Sequence, residues 1–226
     1  MNRAIFWDFD GTITYSSPLW RTAVFNAVSP YAAQYGITFD NLRPHLQHGF
    51  PWHEWNTDSV LKDDAWWAYM FRKFNLLFQS YGLDEARAGM ASKEVRNIVL
   101  NPANYKVYED AISTLEACVR KGYKNYILSN NYPELENVIR KLELSKYFDE
   151  YIVSGVIGYN KPRQEIFKYG LKLANYPDIS YMIGDNPKAD IDGAFNAGMK
   201  TILVHNSAES RADYSPKNLF DIVDLL

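Results

Sequence analysis

The sequence predicts an α/β protein that has a parallel sheet with helices on both faces and an inserted all-helical cap. From about residue 105 onward, short apolar runs alternate with helical segments, a pattern typical of parallel sheets. Residues 15–100 instead show helical spacing and hold all but one of the six tryptophans. We therefore predict a core made of residues 1–14 and 101–226 and a cap domain made of residues 15–100.

The first predicted strand carries the strongest chemical signal. The apolar run 4–7 is typical of a strand buried on both faces. Asp8 and Asp10 follow at alternate positions, and Gly11 lets the chain turn away. Ligands of open α/β sheets bind at the carboxyl ends of the strands. The sequence alone leaves open whether these two carboxylates form a site or an ordinary turn.

The remaining core elements follow from the alternation of apolar runs with helical spacing. Strands are predicted at 126–128, 151–153, 181–183 and 201–204, and helices at 109–121, 133–142, 164–174 and 189–197. In the first of these helices we expect a shared apolar face, made of Ala111, Ile112, Leu115, Cys118 and Val119.

The cap is predicted to contain helices at 18–35, 65–81 and 84–99, with hinges near 14–17 and 100–107. The spacing of its aromatic residues on the second helix favours a packed core over a substrate platform. The loop 43–53 is different because it combines polar rings and a cation with glycine and proline. We interpret it as a candidate specificity loop, with His48 and Trp52 as its candidate contacts.

Composition excludes some classes of partner. The chain is 47% hydrophobic and 23% charged, with a net charge of −3, so there is no electrostatic case for nucleic acid or for anionic membranes. The single Cys118 cannot form an intrachain disulfide, and no apolar stretch is long enough to span a bilayer. We expect a cytoplasmic protein.

Polar side chains follow several of the predicted strands and would meet at one edge of the sheet. Carboxylates with other oxygen ligands favour Mg²⁺, and a hydroxyl group with a lysine suits a phosphate. These observations favour a small phosphorylated metabolite as the partner. The candidate residues are Asp8, Asp10, Ser129, Asn130, Lys161, Asp185 and Asp190.

This set of residues resembles the haloacid dehalogenase-like hydrolase superfamily, which has a Rossmann-like core. Residues 8–12 (DFDGT) look like its first motif, and Ser129 looks like its second. Lys161-Pro162 looks like the third, and Gly184-Asp185 with Asp190 looks like the fourth. The order and spacing of the four motifs agree over nearly the whole chain, and the helical insert resembles the cap of the phosphatase branch.

The resemblance implies a role for each residue. Asp8 would be the nucleophile and would form an aspartyl-phosphate, and Asp10 would be the general acid and base. Asp8, Asp185 and the backbone carbonyl of Asp10 would bind Mg²⁺, with Asp190 as a further ligand or an orienting residue. The phosphate would be held by Ser129, Asn130 and Lys161.

The function favoured by the sequence is a Mg²⁺-dependent phosphatase, and several alternatives stay open. Dehalogenases with this cap lack the second aspartate of the first motif, whereas Asp10 is present here. Phosphomutases of this type carry a histidine near the position of Trp20. Tyr15 stands where many relatives have an acidic residue, so cap closure is expected to differ. A non-catalytic binding module that retains the fold is the remaining alternative.

Overall fold

The computed structural model describes residues 1–15, 18–54 and 61–226. Within these residues one sheet contains five strands in the order β3-β2-β1-β4-β5, and every neighbouring pair is parallel. The strands are β1 (Arg3–Trp7), β2 (Lys124–Ser129), β3 (Glu150–Val153), β4 (Ile179–Gly184) and β5 (Lys200–Leu203). Each predicted strand is present, and every bound lies within two residues of the predicted one.

Helices cover both faces of this sheet. The core helices are α4 (Ala111–Arg120), α5 (Leu135–Lys141), α6 (Ser154–Ile157), α7 (Gln164–Leu173) and α8 (Gly193–Asn196). Phe6 of β1 packs on one face with residues of α7 and α8, whereas its neighbours Ile5 and Trp7 belong to the apolar cluster on the other face. Because successive strand residues point to opposite faces, β1 is buried on both. The α/β, Rossmann-like fold class is therefore confirmed.

The segment predicted as one α-helix at 189–197 instead begins with a π-helical turn. Residues Pro187–Asp192 form a π-helical turn, and an α-helical turn follows at Gly193–Asn196. The amide of Ile191 bonds to the carbonyl of Asn186, five residues earlier. A wider turn of this kind leaves no mark in an apolar pattern of period 3.6.

The apolar face predicted for the first core helix is narrower than expected. Ala111, Leu115 and Cys118 are fully buried, but Ile112 is 42% exposed and Val119 is 49% exposed. A helix that lies on a sheet buries only the stripe that contacts it, so apolar residues at the margin of the stripe stay in water.

The described part of the cap region is helical, as predicted. Its helices are α1 (Leu19–Ala32), α2 (Asp63–Ser80) and α3 (Glu85–Val99), and α3 packs against both others. Short 3₁₀ turns at Pro44–Leu46 and Pro51–Glu54 lie within the predicted specificity loop. Of the aromatic residues on the second helix, Trp66, Trp67, Phe74 and Phe78 are buried and Phe71 is partly buried against them, as expected for a packed core.

The junction between the two parts contains an isolated pairing of backbone segments. Thr14 forms an antiparallel bridge with Val107, and the amide of Tyr15 donates to the carbonyl of Lys106 at 2.9 Å. Ser16 and Ser17 of the predicted hinge lie outside the described residues. The division at residues 14/15 and 100/101 stays a prediction, because the larger apolar cluster runs from the sheet into α1–α3.

Glu134 of the core contacts two cap residues. Its carboxylate accepts a hydrogen bond from Trp67 Nε1 at 2.7 Å and forms an ion pair with Arg96. Among the described helices, none is both long and apolar enough to cross a membrane.

Candidate active site

The centre of the candidate site is a buried lysine between two carboxylates. Lys161 is 2% exposed, and its Nζ lies 2.9 Å from Asp8 Oδ1 and 2.6 Å from Asp190 Oδ1. The same ammonium donates a hydrogen bond to the carbonyl of Leu128 at 2.9 Å. Asp8 directly follows β1, where its amide donates to the carbonyl of Ile183 in β4 at 2.9 Å.

Burial and charge shift the pKa values of this cluster. Burial alone would lower the pKa of Lys161, but the carboxylates of Asp190 and Asp8 outweigh it, and the net shift is upward. Burial raises the pKa of Asp185 to about 7, and the charges of Asp8 and Asp190 add to the rise. Burial also raises the pKa of Asp190 to about 6, although Lys161 acts in the opposite direction. Buried carboxylates of this kind are common at functional sites.

Two glycines permit the carboxylates to approach the backbone. A Cβ atom at Gly11, which has φ of +88°, would lie 2.4 Å from Asp185 Oδ2. A Cβ atom at Gly184 would lie 2.1 Å from Asp190 Oδ2. The glycines that follow β1 and end β4 therefore leave the space that these two carboxylates occupy.

Ser129 and Asn130 lie at the carboxyl end of β2, beside Lys161. Ser129 is the last residue of the strand and is 1% exposed. The side chain of Asn130 accepts a hydrogen bond from the amide of Lys161 at 2.7 Å and donates one to the carbonyl of Lys161 at 2.9 Å. The amide group of Asn130 thus holds the backbone that carries the lysine.

Asp10 is held by two hydrogen bonds from neighbouring side chains. Thr14 Oγ1 donates to Oδ1 at 3.2 Å, and Asn131 Nδ2 donates to Oδ2 at 2.8 Å. Asn131 was not among the residues predicted for the site. Its position directly after Ser129 and Asn130, at the end of a strand, is the signal that could have revealed it.

Three carboxylates could hold a metal ion. One oxygen each from Asp8, Asp185 and Asp190 lies within 4.8 Å of the others. A set made only of carboxylate oxygens fits a hard cation such as Mg²⁺. The backbone carbonyl of Asp10, which the motif resemblance adds to the set, lies two residues beyond Asp8.

A cavity of about 880 Å³ opens over these residues. Its floor is the carboxyl edge of the sheet, and the cap supplies the opposite side with Trp20, Arg21, Arg43, Leu46, Gln47 and Trp52. Tyr108 and His205 line it from the core, with their rings stacked at 3.8 Å, and Tyr15, the first residue of the predicted cap, lines it as well. Four of these residues belong to the predicted specificity loop 43–53, whereas no local sequence pattern marked Arg21, Tyr108 and His205 as part of a cavity wall.

The two predicted specificity residues occupy different places. Trp52 lines the cavity and stacks on Phe50, with ring centroids 4.7 Å apart. His48 is not among the residues that line this cavity. Its carbonyl accepts a hydrogen bond from Lys73 Nζ at 2.7 Å, and its ring lies 6.0 Å from that of His53.

The fold and the site define an α/β enzyme with a carboxylate–lysine centre at the carboxyl edge of a parallel sheet. Residues 2–198 match the family model "Hydrolase: haloacid dehalogenase-like hydrolase". The chain therefore belongs to the haloacid dehalogenase-like hydrolase family and is a hydrolase.

Individual relatives agree with this membership. The chain is 28% identical over 228 residues to a glyceraldehyde 3-phosphate phosphatase of Methanothermobacter thermautotrophicus, covering 98% of this chain and 94% of that one. It is 29% identical over 161 residues to the bovine haloacid dehalogenase-like hydrolase domain-containing protein 3, covering 70% of this chain but only 59% of that protein. A 2-haloacid dehalogenase from Pseudomonas syringae shares the fold, with a TM-score of 0.70 at 21% identity, covering 100% of this chain and 98% of that one.

Proposed function

We propose that the protein is a Mg²⁺-dependent phosphatase that hydrolyses a small phosphorylated metabolite through an aspartyl-phosphate intermediate. The observation that carries this proposal is the placement of Asp8 at the sheet edge, with its Oδ1 2.9 Å from the buried ammonium of Lys161. A carboxylate side chain can act as a nucleophile at phosphorus, and the adjacent ammonium offsets the negative charge around it. Family membership and the phosphatase relative support the same enzyme class, a phosphoric monoester hydrolase.

In the first half of the reaction, a carboxylate oxygen of Asp8 attacks the phosphorus atom. The bond from phosphorus to the leaving oxygen breaks, and Asp10 gives that oxygen a proton. In the second half, Asp10 takes a proton from water as the water oxygen attacks the aspartyl-phosphate. Inorganic phosphate leaves, and both aspartates return to their starting state.

Ser129, Asn130 and Lys161 are proposed to hold the phosphoryl oxygens. Ser129 contributes a hydroxyl group at the end of β2, and the ammonium of Lys161 offsets the negative charge around Asp8. Because the side chain of Asn130 already bonds to the backbone of Lys161, Asn130 acts on the phosphate partly by fixing the lysine.

The carboxylates described above fit a magnesium ion. Asp8 and Asp185 are the proposed side-chain ligands, the carbonyl of Asp10 is the proposed backbone ligand, and Asp190 is a ligand or an orienting group. When bound, Mg²⁺ would neutralise charge on the phosphoryl oxygens during transfer. Asp190 already bonds to Lys161 and to the amide of Asn186 at 2.9 Å, which favours its orienting role.

The class of substrate is proposed from the relatives and the cavity. The Methanothermobacter relative described above, which matches nearly the whole chain, is named for glyceraldehyde 3-phosphate. A cavity of about 880 Å³ has room for a metabolite of this size or larger. We therefore propose small phosphomonoesters as substrates, with glyceraldehyde 3-phosphate as the first to be assayed. A cytoplasmic location stays a prediction from composition.

The dehalogenase and phosphomutase alternatives are less well supported. A halide leaves without a proton, so a dehalogenase has no need for an acid at Asp10. Here Asp10 is held by Thr14 and Asn131 within the cavity. Phosphomutases of this type carry a histidine near the position of Trp20. Here that position holds a tryptophan that packs against Phe50 and Trp52.

Phosphate release tests the proposal directly. The purified protein is expected to release phosphate from 4-nitrophenyl phosphate and from at least one metabolite of a phosphomonoester panel when Mg²⁺ is present, and EDTA is expected to stop the release. Asp8→Asn should lower kcat by about 10⁴-fold or more, because the nucleophile is lost. Asp10→Asn should lower it by about 10²–10⁴-fold.

The matched control is Asp192→Asn, which makes the same substitution at a half-exposed carboxylate paired with Arg211. This variant is expected to keep wild-type turnover. Full activity after thorough chelation would refute the metal requirement, and near-normal turnover in Asp8→Asn would refute the nucleophile.

A further inference from the structure

Asn131 makes a direct contact with the proposed acid and base. Its Nδ2 donates to Asp10 Oδ2 at 2.8 Å, while the other carboxylate oxygen of Asp10 accepts from Thr14 Oγ1 at 3.2 Å. The two donors come from different places in the fold, because Thr14 follows β1 and Asn131 follows β2. Together they define the plane of the Asp10 carboxyl group.

The backbone of Asn131 is itself fixed. The residue is 2% exposed, its amide donates to Ser154 Oγ at 3.0 Å, and its carbonyl accepts from the amide of Gly155 at 2.9 Å. A Cβ atom at Gly155 would lie 2.6 Å from that carbonyl. The start of α6 therefore holds Asn131 against the sheet edge.

The neighbouring residue determines which way the amide group of Asn131 faces. The amide of Tyr132 donates to Asn131 Oδ1 at 3.0 Å, so the NH₂ group is the end that meets Asp10. The buried ring of Tyr132 lies among cap tryptophans, with centroid distances of 6.4 Å to Trp20, 6.3 Å to Trp66 and 6.0 Å to Trp67. The orientation of Asn131 is thus tied to a residue that packs on the cap.

We propose that Asn131 is a positioning residue for the proton transfers of Asp10, an inference that rests on the function proposed above. It holds the carboxyl group of Asp10 in the orientation that reaches the leaving oxygen. Tyr132, which donates to Asn131 and packs on the cap tryptophans, makes this orientation depend on the position of the cap. A displacement of about 1 Å in a reacting group can cost about 10²-fold in rate. If Asn131 orients Asp10 for proton transfer, a variant of Asn131 should lose more kcat with a substrate whose leaving group needs the proton more.

Two aryl phosphates of similar shape separate this role from a general structural one. Phenol is a poorer leaving group than 4-nitrophenol, so phenyl phosphate needs the proton more than 4-nitrophenyl phosphate does. In Asn131→Ala we expect kcat for phenyl phosphate to fall by about 10- to 10²-fold, with less than about 3-fold loss for 4-nitrophenyl phosphate and little change in KM. Asn131→Leu keeps the side-chain volume, removes the donor and should show the same difference.

Asn125→Ala is the matched structural control. Asn125 is also a buried asparagine with two side-chain hydrogen bonds, to Trp7 Nε1 at 2.9 Å and to the carbonyl of Tyr147 at 3.2 Å. It does not line the cavity, so any loss of activity should be equal for the two substrates. Circular dichroism and thermal melting establish that each variant is folded before the rates are compared.

A double-mutant cycle completes the test. In the Asp10→Asn background, adding Asn131→Ala should leave the ratio of the two kcat values unchanged, because no proton remains to be positioned. Equal losses on both substrates in the single variants, or a further change of the ratio in this background, would overturn the inference. A wild-type protein that hydrolyses neither aryl phosphate would instead overturn the proposed phosphatase function.

Discussion

The sheet edge and the cap are both buried, but they are built from opposite chemistry. At the sheet edge, Lys161 and Asp190 are almost fully enclosed and contact each other as charged groups. In the cap, Trp66 and Phe74 are equally enclosed and contact mainly other rings and apolar side chains. Burial of an apolar ring lowers the free energy of folding, whereas burial of a charge raises it unless a partner is present.

This difference determines how far the effect of a substitution spreads. The charged groups at the sheet edge share partners, so a change in one alters the pKa of the others. The cap rings make many weak van der Waals contacts, so removing one ring mainly changes the packing of its immediate neighbours. The following substitutions test whether the two regions respond in these two ways.

The largest effect is expected from Lys161→Met. The substitution leaves Asp8 and Asp190 buried without the ammonium that contacts both. Removing one partner of a buried ion pair costs about 3–5 kcal/mol in the free energy of unfolding. For a protein of this size, the melting temperature should fall by roughly 10 °C.

Thermal and urea melts of Lys161→Met and of the exposed control Lys168→Met measure this effect. A melting temperature for Lys161→Met equal to that of the control would mean that the carboxylates are not coupled to the lysine. The sheet edge would then respond to a substitution as locally as the cap does.

A smaller effect, with a characteristic pH dependence, is expected from Asp185→Asn in the metal-free protein. The pKa of Asp185 is raised to about 7 in the folded state from an ordinary value of 3.8. Between these values the folded protein binds more protons than the unfolded chain, so stability falls as the pH rises through this window. Asp190, with its pKa raised to about 6, contributes with the same sign.

In EDTA at pH 8, Asp185→Asn should therefore be more stable than the wild type, by about 1–3 kcal/mol. The advantage should shrink as the pH is lowered toward 4, where the wild-type carboxyl is protonated in both states. Added Mg²⁺ should stabilise the wild type more than the variant. A wild type that is the more stable of the two in EDTA at pH 8 would contradict the raised pKa of Asp185.

The smallest effect is expected in the cap loop, where Trp52→Ala is compared with His48→Ala. Trp52 lines the cavity and His48 does not, so only Trp52→Ala should change the order of preferred substrates. The loss of one aromatic contact corresponds to about a 3- to 10-fold change in kcat/KM for substrates that reach the cap. Phenyl phosphate is a small reference substrate and should change by less than about 2-fold.

A panel of phosphomonoesters measured on both variants makes this comparison. An unchanged profile in Trp52→Ala would show that the loop is not the specificity element. A changed profile in His48→Ala would show that the loop acts through more than the cavity wall.

The two regions also differ in how much of them the sequence predicted. In the core, each strand is a local apolar run, and the polar residue that follows it is placed at the sheet edge by chain direction alone. Asp8, Ser129 and Asp185 were therefore predicted at one edge, and all three line the cavity. The alternation of strands and helices was equally local, and the fold class followed from it.

Contacts between segments that are far apart in the chain could not be predicted from the sequence. The hydrogen bond from Asn131 to Asp10 spans 121 positions, and the one from Trp67 to Glu134 spans 67. Neither has a periodic signature, because each depends on the angle at which one element packs on another. The width of the buried stripe of α4 and the π-helical turn at Pro187–Asp192 likewise could not be predicted from an apolar pattern.

By itself, the sequence determined the strand order along the chain, the helical insert and the aspartate, serine and lysine positions of the candidate site. These depend on hydrophobic period and on residues adjacent to strand ends, which are local properties. Only the tertiary structure decided which residues flank Asp10, that Lys161 is buried between Asp8 and Asp190, and that Trp52 rather than His48 lines the cavity. These depend on packing between segments far apart in the chain, and a close-packed interior fixes such contacts only when all the elements are in place.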